Sequence, residues 1–421
     1  MAGWGRIDSR RIDDLAYVVG LAIGAAVLLS SGFLDLSLSA IQQGDFVKFW
    51  AGPRALLMGE DPFDSSTWHD TAVRLGALRV DWPVYGYFGW ATLLVLPFAL
   101  LPLESAAAVW TIGGAALAAI AIRALLRAYL PGMPLAHTLV GIALLASHPS
   151  RLSFILGQWS FLLVASLAAT ILLTRAGREV PAALVSVVML AKPQLFVLTG
   201  PAVATWAWLS GHRRFVVAAA IATAGLVLAS VLVMPSWPGV WIREMPSATL
   251  FNPPRTTTPA AVLYELFGPP GTWLALGAMV LAAIVAFRFD PRSDQWLALW
   301  SCLSLAVAPY TWSYDQVLLL VPSVIGAGAI ARRSRRAANA LIAAATLTLL
   351  VLATLLGVVA AARNRESYSA VTPVIVFAIL AGFLWMNRGQ HASSSLAAGS
   401  APGFAHLELD RKEKQRREHD L

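Results

Sequence analysis

The sequence predicts an all-α, polytopic membrane protein, and three observations carry that prediction. Hydrophobic residues make up 58% of the 421 and charged residues only 13%, too little polar surface for a soluble chain of this size. Apolar runs recur from Leu15 almost to Met386; at roughly 17–25 residues each is long enough to cross a hydrocarbon core of about 30 Å as a helix. The cations gather in short connectors between those runs. The formal charge of +8 therefore reads as positive-inside topology, with no nucleic acid as partner. About twelve transmembrane helices are expected, in one integral domain over residues 1–388, followed by a tail over 389–421.

The first run, Leu15 to Leu34, follows Arg6, Arg10 and Arg11 and lacks a small-residue cleavage site, so it is expected to persist as a first helix. The next segment, about 36–83, is the first long polar connection and lies outside if the N-terminus is cytoplasmic. In it Phe46, Phe49, Trp50, Leu56 and Leu57 interleave with Lys48, Arg54 and Glu60, which suits a short interfacial helix broken at Pro53. A second short helix is expected around Thr67 to Leu78, after a turn at Gly59-Glu60-Asp61-Pro62.

Val84–Leu101 and Ser105–Leu130 read as an antiparallel hairpin closed by Leu101-Pro102-Leu103-Glu104. Leu135–Ser147 has the length of a re-entrant or interfacial piece and leads into His148-Pro149-Ser150-Arg151 and Gly157-Gln158-Trp159. Phe161–Thr174 ends at Arg175-Ala176-Gly177-Arg178. Pro181–Leu209 carries Lys192-Pro193-Gln194 inside an otherwise apolar run. Proline removes a backbone donor and turns the preceding residue away from helix, so a break is expected there. An intramembrane lysine is by default a functional-site hypothesis.

After Gly211–Arg214 an apolar run reaches Met234, and the second long polar connection, about 235–270, contains Asn252-Pro253-Pro254-Arg255. Further helices are expected at Trp273–Phe287, Gln295–Val307, Gln316–Ile330, Ala337–Ala361 and Thr372–Met386. The tail ends in a basic run, Arg411 to Arg417, expected as a disordered cytoplasmic extension against anionic lipid. Placing the Arg332–Arg336 cluster inside puts Tyr310, Trp312, Tyr314 and Asp315 outside, together with 235–270.

The parity between Ser105 and Leu209 stays open. If Pro181–Leu209 is one kinked span, Arg175 and Arg178 fall outside. If Lys192-Pro193 splits it in two, they fall inside and Leu135–Leu156 includes a re-entrant piece.

The stretch Gly44-Asp45-Phe46-Val47-Lys48-Phe49-Trp50 places a carboxylate and an ammonium three residues apart, between aromatic rings, at the level of the membrane surface. One reading is an aromatic interfacial anchor with snorkelling charges. The other joins it to the external inventory. A lipid phosphate needs fixed cations, and an acceptor hydroxyl needs a carboxylate base. The cations would also stabilise negative charge growing on a departing phosphate.

Five features, in this order, resemble one family: Gly44-Asp45-Phe46 to Gly59-x-x-Pro62-Phe63, Trp82-Pro83 to Leu96-Pro97-Phe98 and Pro102, the Gly157-Gln158 step, the Ala191-Lys192-Pro193-Gln194 break, and Pro309 to Asp315-Gln316. The chain, over roughly Leu15 to Pro322, is similar to the bacterial polyprenyl-phosphate-mannose-dependent α-mannosyltransferases of the GT-C superfamily, including the type that extends phosphatidylinositol mannosides. The resemblance implies a GT-C glycosyltransferase fold in the cytoplasmic membrane, an active site on the external face, and inversion at the anomeric carbon. The donor would be a polyprenyl-phosphate-linked sugar and the acceptor a lipid or glycan hydroxyl.

By the same resemblance Asp45 is the general base. Lys192 is the first choice for the donor phosphate, with Arg255, Lys48 and Arg54 as further phosphate candidates. Gln158, His148, Arg151, Tyr310, Trp312 and Asp315 are substrate-binding candidates. Each has a plainer reading as an interfacial cation, a helix tie or a capped terminus. The family often has a histidine beside the last aspartate where this chain has Gln316, which puts the donor or the acceptor in question. No cofactor is predicted, and a divalent cation is left open, because His69-Asp70 is only an adjacent pair. A secondary transporter or a non-catalytic lipid-binding protein are the other classes that would hold buried charges in a polytopic chain.

Overall fold

The computed structural model describes residues 9–80, 85–248 and 256–387, with the side chains of 245–248 left aside. Arg6, Asp81, Trp82-Pro83, Asn252, Arg255 and the tail lie outside the described residues. Those described are all helix and connector.

Polar contacts tie the connectors into two faces. On the arginine-rich face Asp14 pairs with Arg123 and Arg127, and Gly132 donates its N–H to Asp13 at 2.6 Å. Arg175 pairs there with Asp294, and His212 meets Glu179 at 3.3 Å. On the opposite face Ser236 donates to Asp61 at 2.6 Å, the Thr257 N–H to Thr311 O at 3.0 Å, and Arg365 pairs with Glu265.

The chain runs between these faces. Helix α1 (Ser9–Ser30) rises to the opposite face, where α2 (Leu38–Gln43), α3 (Phe46–Leu57), α4 (Trp68–Arg74) and α5 (Gly89–Ala99) form a layer. α6 (Leu103–Tyr129) returns, α7 (Pro134–Ala146) and α8 (His148–Leu156) rise together, and α9 (Ser160–Arg175) descends. α10 (Glu179–Ser186) and α11 (Thr199–Leu209) enter and leave by the arginine-rich face. α12 (Arg213–Val233) crosses to α13 (Trp237–Ala248) and α14 (Pro259–Phe267). α15 (Pro269–Phe287), α16 (Asp294–Val307), α17 (Leu320–Ala331), the pair α18 (Arg335–Leu347) and α19 (Ala353–Arg363), and α20 (Val371–Met386) then alternate in direction.

Eight helices among the described residues are long and apolar enough to cross a membrane, and Gly89–Ala99, Ser160–Arg175 and Glu179–Ala191 are shorter apolar ones. The segment Ser313–Ala331, 94% buried, forms the centre. Ser37, Ser147, Thr258, Ser293 and Ser334 cap the helices that follow them, each side-chain oxygen accepting an N–H that the first turn would leave unpaired.

Several expectations are corrected. Val84–Leu101 does not form a membrane hairpin with the next helix: α5 lies in the outer layer, where Ala99 O and Leu101 O accept from Arg54 and Trp50 of the first loop at 3.1 Å each. The re-entrant piece is Glu179–Leu209, not Leu135–Ser147. Phe215 N donates to Glu179 Oε2 at 2.9 Å, so both ends of that hairpin sit at one face and Lys192 occupies its tip. Arg175 and Arg178 therefore stand on the arginine-rich face. α3 continues through Pro53, because Phe46 to Pro53 are all buried and packing outweighs one missing donor.

α1 and α7 run side by side at close range. A Cβ on Gly20 would lie 2.3 Å from Thr138 O and one on Gly141 2.9 Å from Tyr17 O, while the Thr138 hydroxyl donates to Ala16 O at 3.1 Å. In a membrane, where lipid is as apolar as leucine, such small-residue contact is what holds helices together. Gly20→Leu is expected to cost about 1–3 kcal/mol through overpacking. In detergent it should melt several degrees below wild type, whereas Gly113→Leu, with open space around it, should melt with wild type.

Candidate active site

Five side chains picked out in the sequence form one continuous chain of contacts. Lys48 Nζ donates to Asp45 Oδ1 at 3.2 Å, and Gln158 Nε2 donates to Asp45 Oδ2 in a short hydrogen bond. Gln158 Oε1 accepts from Lys192 Nζ at 3.1 Å, and Lys192 Nζ donates to Asp315 Oδ1 at 2.8 Å. The Lys192 ammonium also lies 4.4 Å from the centre of the Tyr314 ring, a cation–π contact. Two carboxylates and two ammoniums alternate around one amide.

Four of the five are delivered by local irregularities, and Lys48 comes from the first turn of α3. Asp45 sits just ahead of α3, and its backbone N–H donates to Leu156 O at 2.9 Å. Gln158 follows Gly157, which ends α8 at φ +65. A side chain at Gly157 would meet both the left-handed strain of that backbone and Phe46 Cβ at 2.6 Å. This close approach brings the amide to the carboxylate. Lys192, at φ −135 and ψ 68, separates the 3₁₀ turns Val187–Ala191 and Pro193–Phe196, the break its proline predicts. Asp315 belongs to the 3₁₀ segment Ser313–Leu319, where its Oδ2 accepts the Trp312 N–H at 3.1 Å.

Accessibility grades the chain. The Asp315 and Lys192 side chains are 2% and 7% exposed, Lys48 10% and Asp45 26%, so Asp45 is the more accessible of the two carboxylates. The aromatic residues around it do not anchor the chain in lipid. Phe49 packs edge-on to Tyr87 at 4.7 Å, and Phe46 and Phe49 lie against Trp110 at 5.6 and 6.1 Å. The anchor reading of this stretch is thereby overturned: the rings form a buried wall. Burial first, and then the Asp45 charge, push the Tyr87 hydroxyl well above its ordinary range, so it stays a donor at the site.

The other candidates are placed as follows. Tyr310 and Trp312 stand next to Asp315, with Trp312 Nε1 donating to the Tyr310 hydroxyl at 2.5 Å and its ring stacked 6.3 Å from Tyr314. Arg54 lies nine residues along α3, about 13 Å from Asp45 along the axis, and donates to Ala99 O. His148 and Arg151 sit at the far end of α8, where Arg151 donates to Thr354 Oγ1 at 3.1 Å. These three are not brought to the chain, and Arg255 lies outside the described residues.

Gln316, in place of the family's histidine, turns away and donates to Ser369 O at 2.7 Å. Among the described residues no three His, Cys, Asp or Glu side chains gather as metal ligands. Sequence reading missed Tyr87 and the direct Lys192–Asp315 pair, because positions far apart in the chain, 123 for that pair, leave no spacing signal. The one available cue for Tyr87 was an aromatic residue in a polar connection.

Gly157→Ala tests the delivery of Gln158. Strain at positive φ costs about 1–3 kcal/mol, and the displaced amide should reduce the activity of this site more than tenfold in membranes where the protein is still present at wild-type level.

The family model described as Glycosyltransferase family 87 matches residues 85–310. The match includes Gln158, Lys192 and Tyr310, while Asp45 and Asp315 lie on either side of it. No curated protein and no solved structure matches the chain. The matched segment is more than half of the sequence, and the all-helical, membrane-crossing architecture with buried charges at one face is that of a polytopic GT-C protein. The chain belongs to glycosyltransferase family 87 and is a membrane glycosyltransferase.

Proposed function

We propose that this glycosyltransferase moves a sugar, read as mannose, from a polyprenyl phosphate to a lipid- or glycan-linked hydroxyl, with inversion and with Asp45 as general base. The observation that carries the reading is the chain Lys48–Asp45–Gln158–Lys192–Asp315. It sets a reachable carboxylate and a desolvated ammonium on the two ends of one amide.

The acceptor hydroxyl donates its proton to Asp45 as its oxygen bonds to the anomeric carbon. The bond from that carbon to the phosphate oxygen breaks on the opposite side, and the electron pair leaves with the phosphate. One base is enough because phosphate is a good leaving group, unlike the alcohol that obliges glycosidases to use a carboxyl pair. Lys192 stabilises the charge on the departing phosphate, and Gln158 holds Asp45 with its acceptor lone pair toward substrate. Asp315 neutralises Lys192 and is the group an incoming phosphate competes with.

A polyprenyl donor is further supported by an apolar groove of about 960 Å³ between the re-entrant hairpin and α12. Leu190 and Pro193 line its upper end, directly beside Lys192, and Phe215 and Val216 its lower end. The arginine-rich face, with Arg175, Arg213, Arg214, Arg332 and Arg335, is cytoplasmic by the positive-inside rule. The chain of charges then faces the exterior.

Membranes supplied with radiolabelled polyprenyl-phosphate mannose test the assignment. Asp45→Asn should lower kcat on the order of 10²–10⁴-fold, as loss of a general base does. Lys192→Gln should raise KM for the donor and lower kcat as well. Transfer by Asp45→Asn at the wild-type rate would remove Asp45 from catalysis, and no transfer by wild type would remove the donor.

A further inference from the structure

His148 and Arg151, one turn apart on α8, stand away from the charge chain and share a site of their own. Arg151 lies over the Phe33 ring at 5.1 Å and donates to Thr354 Oγ1 at 3.1 Å, yet its Nε is buried without a hydrogen-bond partner. No carboxylate pairs with it among the described residues. Asp35, two residues past Phe33, holds its carboxylate on the Ser37 N–H at 2.9 Å.

His148 makes no hydrogen bond among the described residues, and its ring presses on α19 so closely that a Cβ on Gly357 would lie 2.1 Å from Nε2. The wall opposite is irregular as well. A π-helical turn, Thr348–Leu352, precedes Thr354, whose hydroxyl donates to Leu350 O at 2.6 Å and so offers its lone pair to Arg151. π-turns occur mostly where a helix has been reshaped for a function.

The surroundings identify the anion. Arg151 is five residues before Leu156, about 7–8 Å along α8, and the Leu156 carbonyl accepts the Asp45 N–H at the end of the helix that reaches the outer face. The surrounding surface is apolar: Ile155 on α8 and Leu355 and Val358 on α19 are exposed, as they would be to acyl chains. A half-buried guanidinium beside apolar side chains and without a carboxylate is costly unless an anion completes it.

We propose that the cleft between the end of α1, α8 and α19 binds the phosphodiester of an outer-leaflet anionic phospholipid, held by Arg151 with His148 at its side. Its acyl chains lie along Ile155, Leu355 and Val358. The site is independent of the sugar-transfer reading, since neither residue touches Asp45 or Lys192.

Thermal unfolding of the purified full chain in dodecyl maltoside tests this. Dioleoylphosphatidylglycerol should raise the wild-type Tm by several degrees, while dioleoylglycerol, with chains and no phosphate, and inorganic phosphate, with no chains, should not. Arg151→Gln should abolish the shift and Arg54→Gln should keep it.

Thr354→Glu covers the case in which Arg151→Gln fails to fold. It supplies a carboxylate to the guanidinium and should remove the lipid shift while leaving a folded protein. A lipid shift that survives both substitutions, or an equal shift from inorganic phosphate or from dioleoylglycerol, overturns the proposal. So does the absence of any shift in wild type, which leaves Arg151 as a snorkelling side chain.

Discussion

The structure depends on how one ammonium is kept at the tip of a re-entrant hairpin. Lys192 is taken almost wholly out of water, and a charge so placed has to be paired and hydrogen-bonded or it is not tolerated. Asp315 and the face of Tyr314, from the 3₁₀ start of the central helix, and Gln158, from the end of α8, meet those demands. Removing one partner of a buried pair typically costs about 3–5 kcal/mol, so the pair is also a constraint on folding. The tip of the hairpin, the end of α8 and the 3₁₀ start of the central helix must arrive together.

That requirement accounts for irregularities that would otherwise look like defects in a helical membrane protein. Backbone at membrane depth may leave the helical form only where it is buried in protein or lines a cavity. Here the two 3₁₀ turns around Lys192, the left-handed Gly157 and the 3₁₀ turn of Asp315 all converge on the same cluster. Each frees a side chain from a helix face and aims it at the centre. The cost is spread over a tight frame: α1 against α7 through glycines, and a central helix with almost no lipid contact.

The polar chain also separates stability from reactivity. Its buried end, Lys192 with Asp315, is fully compensated and rigid. Its other end, Asp45, is a quarter exposed while Lys48 and Gln158 hold its orientation. Under the proposed general-base role, a carboxylate held in this way would lose little freedom on meeting an acceptor, which is what preorganisation contributes. The wall of Phe46, Phe49, Trp110 and Trp159 keeps water from the far side.

The sequence by itself determined the class, the apolar segments, the break at Lys192-Pro193 and most of the chemistry-bearing residues. Those follow from local causes: hydrophobic run length, the missing proline donor, and charge in an apolar setting. It misread α5 as a membrane hairpin arm and left the re-entrant hairpin and the side on which Arg175 stands undecided, because a short apolar run satisfies a crossing and a hairpin arm equally well. Only the tertiary structure decided that Asp45, Gln158, Lys192 and Asp315 meet in one cluster while Arg54, His148 and Arg151 stand away from it. The reason is physical. Each contact joins positions far apart in the chain, and the geometry that selects among equally plausible charges exists only once the helices have packed.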